Sequence, residues 1–379
     1  MSENVMLEMK NLKLYYKFAL KSSKDVFFAT AGRNAKFNAE DFYSKNFSNN
    51  PALLDELELT KKEIIKSAKN YLSMMKIVDG TDLTVYEGKN TSIIGESGCG
   101  KSTLLLSILN FPQEELGYLS GNIFYNLDGK MIDLLKLKES QMREIRGLQI
   151  GLIPQLAKAS INPWLTIGFQ TGEILKERFS EDQEIIKEKV IEYLGKVAFP
   201  ESHIKINKYV NQLSGGEAQK VVIAMALISN PKFLLADEIF SALDTITQSQ
   251  IIELLKDLTK ELPFQFLLTT HNITAALNVT ENIAVMYAGQ IVESTTVRKF
   301  LDEPLHPYTQ GLLNALPFYA FRKGKKLEPI DGDSPIPFVW PTGCRFSPRC
   351  KKAFAKCNQE APPMVTVGEV KVACWLYSV

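Results

Sequence analysis

Apolar and polar residues alternate from Met6 to Tyr16, with Leu7, Met9, Leu12 and Leu14 set against Glu8, Lys10 and Lys13. A period of two predicts a half-buried strand, and the same alternation puts Leu12 and Leu14 on the face of Tyr16. Residues 76–86 (KIVDGTDLTVY) predict strand, turn and strand; Glu87-Gly88 marks a turn, and Thr91–Ile94 opens a buried strand. The stretch of about 17–75 breaks this rhythm. It mixes polar runs (KSSK, GRNAK, SNN) with aromatics and predicts helices over 53–59 and 61–75. Ile64, Ile65, Ala68, Tyr71, Leu72 and Met75 share one face of the second helix, so an inserted surface subdomain is expected.

From residue 91 the period switches repeatedly between strand and helix. Residues 101–109 predict a helix, 122–134 hairpin strands, and Gln149–Ile153 an apolar strand ending at Gln155. Ser180 and Gln183 have capping-box spacing ahead of a helix lined by Ile185, Ile186, Val190, Ile191, Leu194 and Val197. Helix 216–229 precedes strand 233–236, helix 247–261 precedes strand 265–269, and 283–287 with 290–293 read as a strand pair. Such alternation predicts a parallel sheet with helices on both faces. After about residue 317, Pro317, Pro329, Pro335, Pro337 and Pro341 punctuate a loop-rich tail with little apolar periodicity.

The chain has 379 residues, which at about 150 per domain suggests two to three domains. Hydrophobic residues make up 45% and charged residues 23%, the profile of a globular protein rather than a disordered or repetitive one. Lys and Arg total 44 against 43 Asp and Glu, a net charge of +1, so no global field favours a polyanion and no nucleic-acid partner is expected. No apolar run is long enough for a transmembrane helix, and MSENVMLEMK lacks the pattern of a secretory signal; a chain kept in the cytoplasm is expected.

Gly95-Glu96-Ser97-Gly98-Cys99-Gly100-Lys101-Ser102-Thr103 fits G-x-x-x-x-G-K-[ST] between an apolar strand and a helix. Backbone N–H groups of such a loop wrap phosphates, aided by the helix N-terminus. Lys101 would reach the β- and γ-phosphates and Ser102 would ligate Mg²⁺, with Cys99 merely a small loop residue. The apolar strand Phe233–Ala236 ends in Asp237 and Glu238, acids placed where a crevice forms beside a phosphate loop. Asp237 would hold Mg²⁺ through water, and Glu238 would act as base toward an attacking water. Leu213-Ser214-Gly215-Gly216-Glu217-Ala218-Gln219 starts a helix with a hydroxyl and two glycines, a second anion site by the same reasoning. Two phosphate-facing loops for one nucleotide make sense if two chains face each other.

The motif order resembles the nucleotide-binding subunits of ABC transporters over about residues 5–293: the phosphate loop, Gln155 after a strand, LSGGEAQ, LLADE, Ser241-Ala242-Leu243-Asp244, and His271 after a strand. The resemblance implies a P-loop α/β fold with a RecA-like core, an antiparallel β edge and a helical subdomain at about 156–212. It implies ATP with Mg²⁺, and a role for each matching residue. Gln155 would sense Mg²⁺ and the membrane subunits, Asp244 would couple two sites, His271 would contact the γ-phosphate, and Tyr16 would stack on adenine. The family's usual Pro-Thr after the glutamate is replaced by Ile239-Phe240.

His306-Pro307-Tyr308-Thr309, Gly332-Asp333-Ser334-Pro335 and Pro341-Thr342-Gly343-Cys344-Arg345-Phe346-Ser347-Pro348-Arg349-Cys350, with Asn162-Pro163, resemble the C-terminal extension and ATP-binding subunits of oligopeptide/dipeptide/nickel importers. That resemblance implies a cassette at 1–293 and an extension at 294–379. It also implies a paralogous second cassette, two membrane permeases and an extracytoplasmic binding protein, with the chain peripheral on the cytoplasmic membrane face. A soluble ABC ATPase outside transport, or a regulatory cassette with little turnover, are the rival expectations. Four of the five cysteines, Cys344, Cys350, Cys357 and Cys374, are spaced C-x5-C-x6-C-x16-C, unlike the short pairs of a zinc ribbon. Disulfides are disfavoured in a cytosolic chain. The resemblance implies a four-cysteine tail that can hold an iron–sulphur cluster, so the expectation is one metal centre, [4Fe–4S] first and Zn²⁺ second, with unligated buried thiols third, and with Arg345, Arg349, Lys351 and Lys352 partly offsetting thiolate charge. The tail would then be separable, and its loss would spare nucleotide binding.

Overall fold

The computed structural model describes residues 4–19, 72–111, 116–180, 182–322, 324, 326–335 and 340–378. The expected helix at 53–59 and most of that at 61–75 lie outside the described residues. The chain forms β1 (Val5–Ala19), β2 (Leu72–Tyr86), β3 (Thr91–Ile94), α1 (Lys101–Ser107), β4 (Leu116–Leu127), β5 (Lys130–Asp133), α2 (Glu139–Ile145) and β6 (Ile150–Ile153). A helical region follows with α3 (Ala157–Ser160), α4 (Ile167–Phe179), α5 (Gln183–Lys196) and α6 (Ser202–Lys205). Then come α7 (Gly215–Leu227), β7 (Phe233–Asp237), α8 (Thr245–Glu261), β8 (Gln265–Thr270), α9 (Ile273–Val279), β9 (Asn282–Tyr287) and β10 (Gln290–Thr296). The extension adds α10 (Val297–Asp302), α11 (Pro307–Asn314), α12 (Pro317–Arg322), α13 (Ala355–Gln359), β11 (Met364–Val367) and β12 (Val370–Ala373).

An antiparallel sheet runs in the order β2-β1-β4-β5. The second sheet runs β11-β12-β10-β9-β3-β8-β7-β6. Its section from β9 to β6 is parallel and carries the predicted crossover helices, while β9-β10-β12-β11 is antiparallel. Consecutive buried residues in β3, β7 and β8 fit strands covered on both faces. Leu104, Leu105 and Ile108 pack with Leu7, Met9 and Leu83 between the two sheets.

The structure differs from expectation at identifiable places. Residues 76–86 form one strand with Leu72–Met75, paired from Tyr86 to Leu72 along β1; the residues read as the end of a helix are therefore extended. In β1 the register shifts between Leu14 and Tyr15, so both are buried and Tyr16 is only half-buried. That bulge breaks the alternation that put Tyr16 on the face of Leu12 and Leu14. Ser180 does not cap α5. It ends α4 at φ 52°, a left-handed conformation, whereas an N-cap needs extended backbone. Asp182 precedes α5 instead, and Ile185 is exposed. The hairpin β11–β12 was not expected, because strands of four residues are too short for periodicity to show. Residue 293, the expected end of the cassette, lies inside β10, where Glu293 pairs with Val372. The extension thus continues the cassette's sheet. Its Tyr308, Phe346 and Cys344 pack with Tyr287 and Val285 of β9 in one apolar cluster.

Candidate active site

The phosphate loop joins β3 to α1. Gly100 caps that helix at φ 104°, and a β-carbon there would meet the Ile77 carbonyl at 2.8 Å, so both the dihedral and the close approach require glycine. Lys101 begins α1 and is buried. Its Nζ donates to the carbonyls of Gly95 (2.9 Å) and Glu96 (3.1 Å) and lies 3.4 Å from Glu238 Oε1. Gly95, Ser97, Gly98, Ser102 and Thr103 complete the predicted loop, and burial pushes the Cys99 thiol up, in line with an inert packing role.

β7 ends beside this loop because β3, β8 and β7 are neighbours. Ser102 Oγ donates to Asp237 Oδ1 at 2.7 Å, and Thr269 Oγ1 donates to the same oxygen at 2.5 Å. Glu238 is buried with its backbone at φ 46°, held by its N–H donating to Thr269 carbonyl (2.9 Å). A non-glycine residue in that region is strained, and such strain concentrates at functional sites. His271, just past β8, brings Nδ1 within 2.6 Å of Glu238 Oε2. Lys101, Ser102, Asp237, Glu238 and His271 therefore converge, as the motifs implied. Thr269 was missed; it pairs across from Asp237 in the β7–β8 register, and its only sequence signal is its place at the end of an apolar strand.

Ile239 and Phe240 are both buried in the core shared by α7 and α8. The following turn is fixed by Gln248, whose amide donates to the carbonyls of Phe240 (2.9 Å) and Leu243 (3.0 Å). Hydrophobic burial thus anchors the loop where the family's usual pair is replaced.

The other predicted residues stand on separate elements. Ser214 caps α7 in a reciprocal box: its Oγ accepts from Glu217 N–H (3.1 Å), and its own N–H donates to Glu217 Oε2 (2.9 Å). That N–H, and then Lys205 at 2.9 Å, outweigh burial and hold the Glu217 carboxyl down at about 2. Gly216 lies against α8, where a β-carbon would meet Thr247 Cγ2 at 2.7 Å; Gly215 begins the helix. Asp244 caps α8, accepting from the N–H groups of Ile246 and Thr247 at 3.0 Å and from the Thr247 hydroxyl at 2.7 Å. The Thr247 bonds hold its carboxyl below the ordinary range. Gln155 is exposed just beyond β6, and Tyr16 lies near the far end of β1. Within this one chain these residues do not join the Lys101–Glu238 cluster through any hydrogen bond among the described residues.

Cys344, Cys350, Cys357 and Cys374 line one small cavity together with His306. All are free thiols. Burial pushes Cys344 up to about 11 and raises Cys350 and Cys374 as well. As they stand, no three His, Cys, Asp or Glu side chains among the described residues are gathered closely enough to hold a metal ion, so the expected centre is not a preformed site. Lys352 lines the cysteine cavity as expected, and its charge works against burial at Cys350 and Cys374, whereas the other three cations are placed differently from expectation. Arg345 pairs with Asp79, Arg349 with Glu96 (2.8 Å), Lys351 with Asp331 (3.4 Å), and Lys352 bonds Gln310 (2.9 Å). Carboxylates are the better-matched partners for guanidinium forks, so both arginines point at the cassette.

Comparison with known proteins gives two family matches: ABC transporter over residues 78–241, and oligopeptide/dipeptide transporter, C-terminal region, over 292–357. The chain is 39% identical over 302 residues to the oligopeptide transport ATP-binding protein AppD of Bacillus subtilis, covering 79% of this chain and 90% of that one. It is 40% identical over 299 residues to the dipeptide transport ATP-binding protein DppD of Haemophilus influenzae, covering 79% and 89%. Among solved structures it resembles a dimeric ATP-binding cassette in a post-hydrolysis state bound to ADP and Pi, with a TM-score of 0.55, 25% identity, and coverage of 77% and 99%. No helix among the described residues is long and apolar enough to cross a membrane.

Proposed function

The chain belongs to the ATP-binding subunits of peptide- and dipeptide-importing ABC transporters, and from that premise we propose how its residues divide the work. It is an ATPase whose turnover is coupled to transport. The observation that carries the residue assignment is the grip on Glu238, between Lys101 at 3.4 Å and His271 at 2.6 Å, directly after the Asp237–Ser102 pair. Lys101 exchanges its carbonyl partners for the β- and γ-phosphates. Glu238 orients the attacking water and accepts its proton, and His271 holds that carboxylate while facing the γ-phosphate. Ser102 and Asp237 fit Mg²⁺ because they present hard oxygens 2.7 Å apart, and Gln155 is the third candidate. The ion, when bound, neutralises phosphate charge.

Ser214, Gly215, Gly216, Glu217 and Asp244 then serve the nucleotide of an opposing cassette, which resemblance favours as a paralogue. Their separation from the Lys101–Glu238 cluster supports this arrangement. Tyr16 stacks on adenine. Leu156, Trp164 and Phe169 are exposed apolar side chains following Gln155, and they support permease docking there, at the cytoplasmic membrane face. An extracytoplasmic binding protein delivers the peptide through those permeases.

The four cysteines are not preformed for a metal, and in this reading they would close on one as it binds, with [4Fe–4S] ahead of Zn²⁺. Their common cavity supports this, and so does His306. That ring is fully buried and its Nδ1 accepts from Tyr308 N–H at 3.1 Å, which leaves Nε2 without a partner among the described residues at the same cavity. Four thiols and an orphaned donor suit a thiolate-bound group.

Reconstitution of the chain with its partner cassette, permeases and binding protein in liposomes tests the function. Peptide uptake should depend on external binding protein and on ATP inside, and uptake of nickel in place of peptide would overturn the substrate class.

A further inference from the structure

Glu96 lies inside the phosphate loop, between Gly95 and Ser97, yet it is held mostly from outside the cassette. Its N–H donates to Tyr308 Oη at 3.0 Å. Its carboxylate receives both arms of Arg349, at 2.8 Å on Oε2 and 3.1 Å on Oε1, and also the hydroxyl of Ser334. Among the described residues its carbonyl alone is hydrogen-bonded from within, accepting from Lys101 Nζ (3.1 Å) and the Cys99 N–H (3.4 Å). Arg349 is itself braced: Nε donates to the Asp331 carbonyl at 3.0 Å, and a terminal nitrogen reaches Tyr287 Oη at 3.3 Å. Its side chain is 7% exposed. Tyr308, Asp331, Ser334 and Arg349 all belong to the extension.

We propose that Arg349 is a positioning residue for nucleotide binding, the point through which the extension sets the shape and charge of the phosphate loop. The proposal rests on the reading of residues 95–103 as that loop. Two physical effects work together. A bidentate pair fixes one residue of a glycine-rich loop, so that its N–H groups are ordered before the ligand arrives. The same pair neutralises a carboxylate that otherwise stands on the loop and repels phosphate. The Glu96 carboxyl lies below the ordinary range: burial raises it, but the bonds to Arg349 and Ser334 and the Arg349 charge outweigh that. It is therefore an anion that needs its partner. Arg349 closes a short turn, Ser347–Arg349, between Cys344 and Cys350. Ser347 N–H donates to Cys344 carbonyl (2.9 Å), and Cys350 N–H to Ser347 carbonyl (3.3 Å), so whatever organises those cysteines also aims the guanidinium. A second pin lies nearby. Arg345 stacks on Trp340 at 3.9 Å and pairs with Asp79 of β2.

The test uses the full chain and a fluorescent ATP analogue with Mg²⁺, and compares Arg349→Met, Glu96→Gln, the double variant and Arg349→Lys. Arg349→Met should weaken binding about tenfold in the native background but less than about twofold in the Glu96→Gln background, the signature of a coupled pair. Arg349→Lys, which keeps the charge but not the fork, should recover part of the loss. In the assembled transporter the KM for ATP should rise while kcat at saturation stays within about twofold. Unchanged affinity in Arg349→Met, or an equal loss in both backgrounds, would overturn the proposal. Lys101→Ala serves as the separate control: if it bound the analogue as the native chain does, the phosphate-loop reading itself would fall.

Discussion

Replacing Glu238 by Gln separates two roles that its geometry combines. The amide keeps the shape, the strained backbone at φ 46° and one hydrogen-bonding oxygen, but it loses the charge and the basicity. Loss of a general base costs about 10²- to 10⁴-fold in turnover, or about 3 to 5 kcal/mol of transition-state stabilisation. Binding should move the other way. Lys101 Nζ lies 3.4 Å from Glu238 Oε1, and at an effective dielectric near 20 the gross attraction is about 5 kcal/mol. Most of that is cancelled by desolvation of the buried pair. Relief of even about 1 kcal/mol of this competition would tighten ATP binding about fivefold. Single-turnover hydrolysis in the assembled transporter, with the partner cassette's own site inactivated, reads the first effect, and equilibrium binding of MgATP reads the second. Turnover within about tenfold of the native enzyme would refute the base assignment. Weaker ATP binding would refute the competition between Glu238 and phosphate for Lys101.

Ser214→Arg should spare ATP binding at this chain's own phosphate loop while blocking closure onto the opposing nucleotide; loss confined to its own site, measured by site-specific crosslinking of an azido-ATP, would contradict the shared geometry. Glu217→Gln should change the acid response. The native carboxyl at about 2 against an ordinary 4.5 contributes stability that is fully present above pH 4.5 and disappears as pH falls through about 2, so the melting-temperature gap between native and variant should narrow toward pH 2. A gap that stayed constant with pH would exclude the capping box as its source. Cys350→Ser, in protein purified without oxygen, should lose stoichiometric iron and, by misplacing Arg349, weaken nucleotide binding in the same direction as Arg349→Met. Native protein carrying neither iron nor zinc, with all four thiols freely alkylated, would defeat the metal centre.

The meeting of Lys101, Ser102, Asp237, Glu238 and His271 was legible because it depends on short local motifs. A phosphate loop needs glycines and a lysine at fixed spacing, and acids at the end of an apolar strand meet it whenever the parallel sheet forms. Thr269 was not legible, since nothing local distinguishes a threonine at one strand end until the β7–β8 register is known. Tyr16 shows the limit of periodicity: a bulge of one residue reverses the face on which a side chain stands. Ser180 shows another, because a capping-box spacing cannot tell whether the serine starts the next helix or stops the previous one. The extension was legible as a set of residues and opaque as an arrangement. Its proline-rich, weakly periodic composition implied a separable appendage, yet contacts between residues more than 200 positions apart tie it to the phosphate loop, and local patterns carry no trace of those.

The segment around His306 explains why such an extension can act on the nucleotide site. Glu293 is fully buried on β10, and its carboxylate accepts from the N–H groups of Leu305 (3.2 Å) and His306 (2.6 Å). Burial pushes its carboxyl up, against those bonds. His306 then caps α11 through Nδ1, and Pro307 occupies the first helical position, where its missing N–H costs nothing and its fixed φ suits the helix. Tyr308 follows one residue later. Its ring packs 4.6 Å from Tyr287 and 5.4 Å from Phe346 while its hydroxyl accepts from Glu96. The three residues of His-Pro-Tyr thus contribute differently, with one ring that caps, one that sets the helix start, and one whose far end reaches the loop. The path from β10 to the phosphate loop runs through Glu293, His306 and Tyr308 to Glu96, and its first three side chains are buried, so a displacement of the extension is transmitted along it rather than absorbed. A purely metal-binding appendage would need no such path; one that holds Glu96 from both its backbone and its carboxylate does.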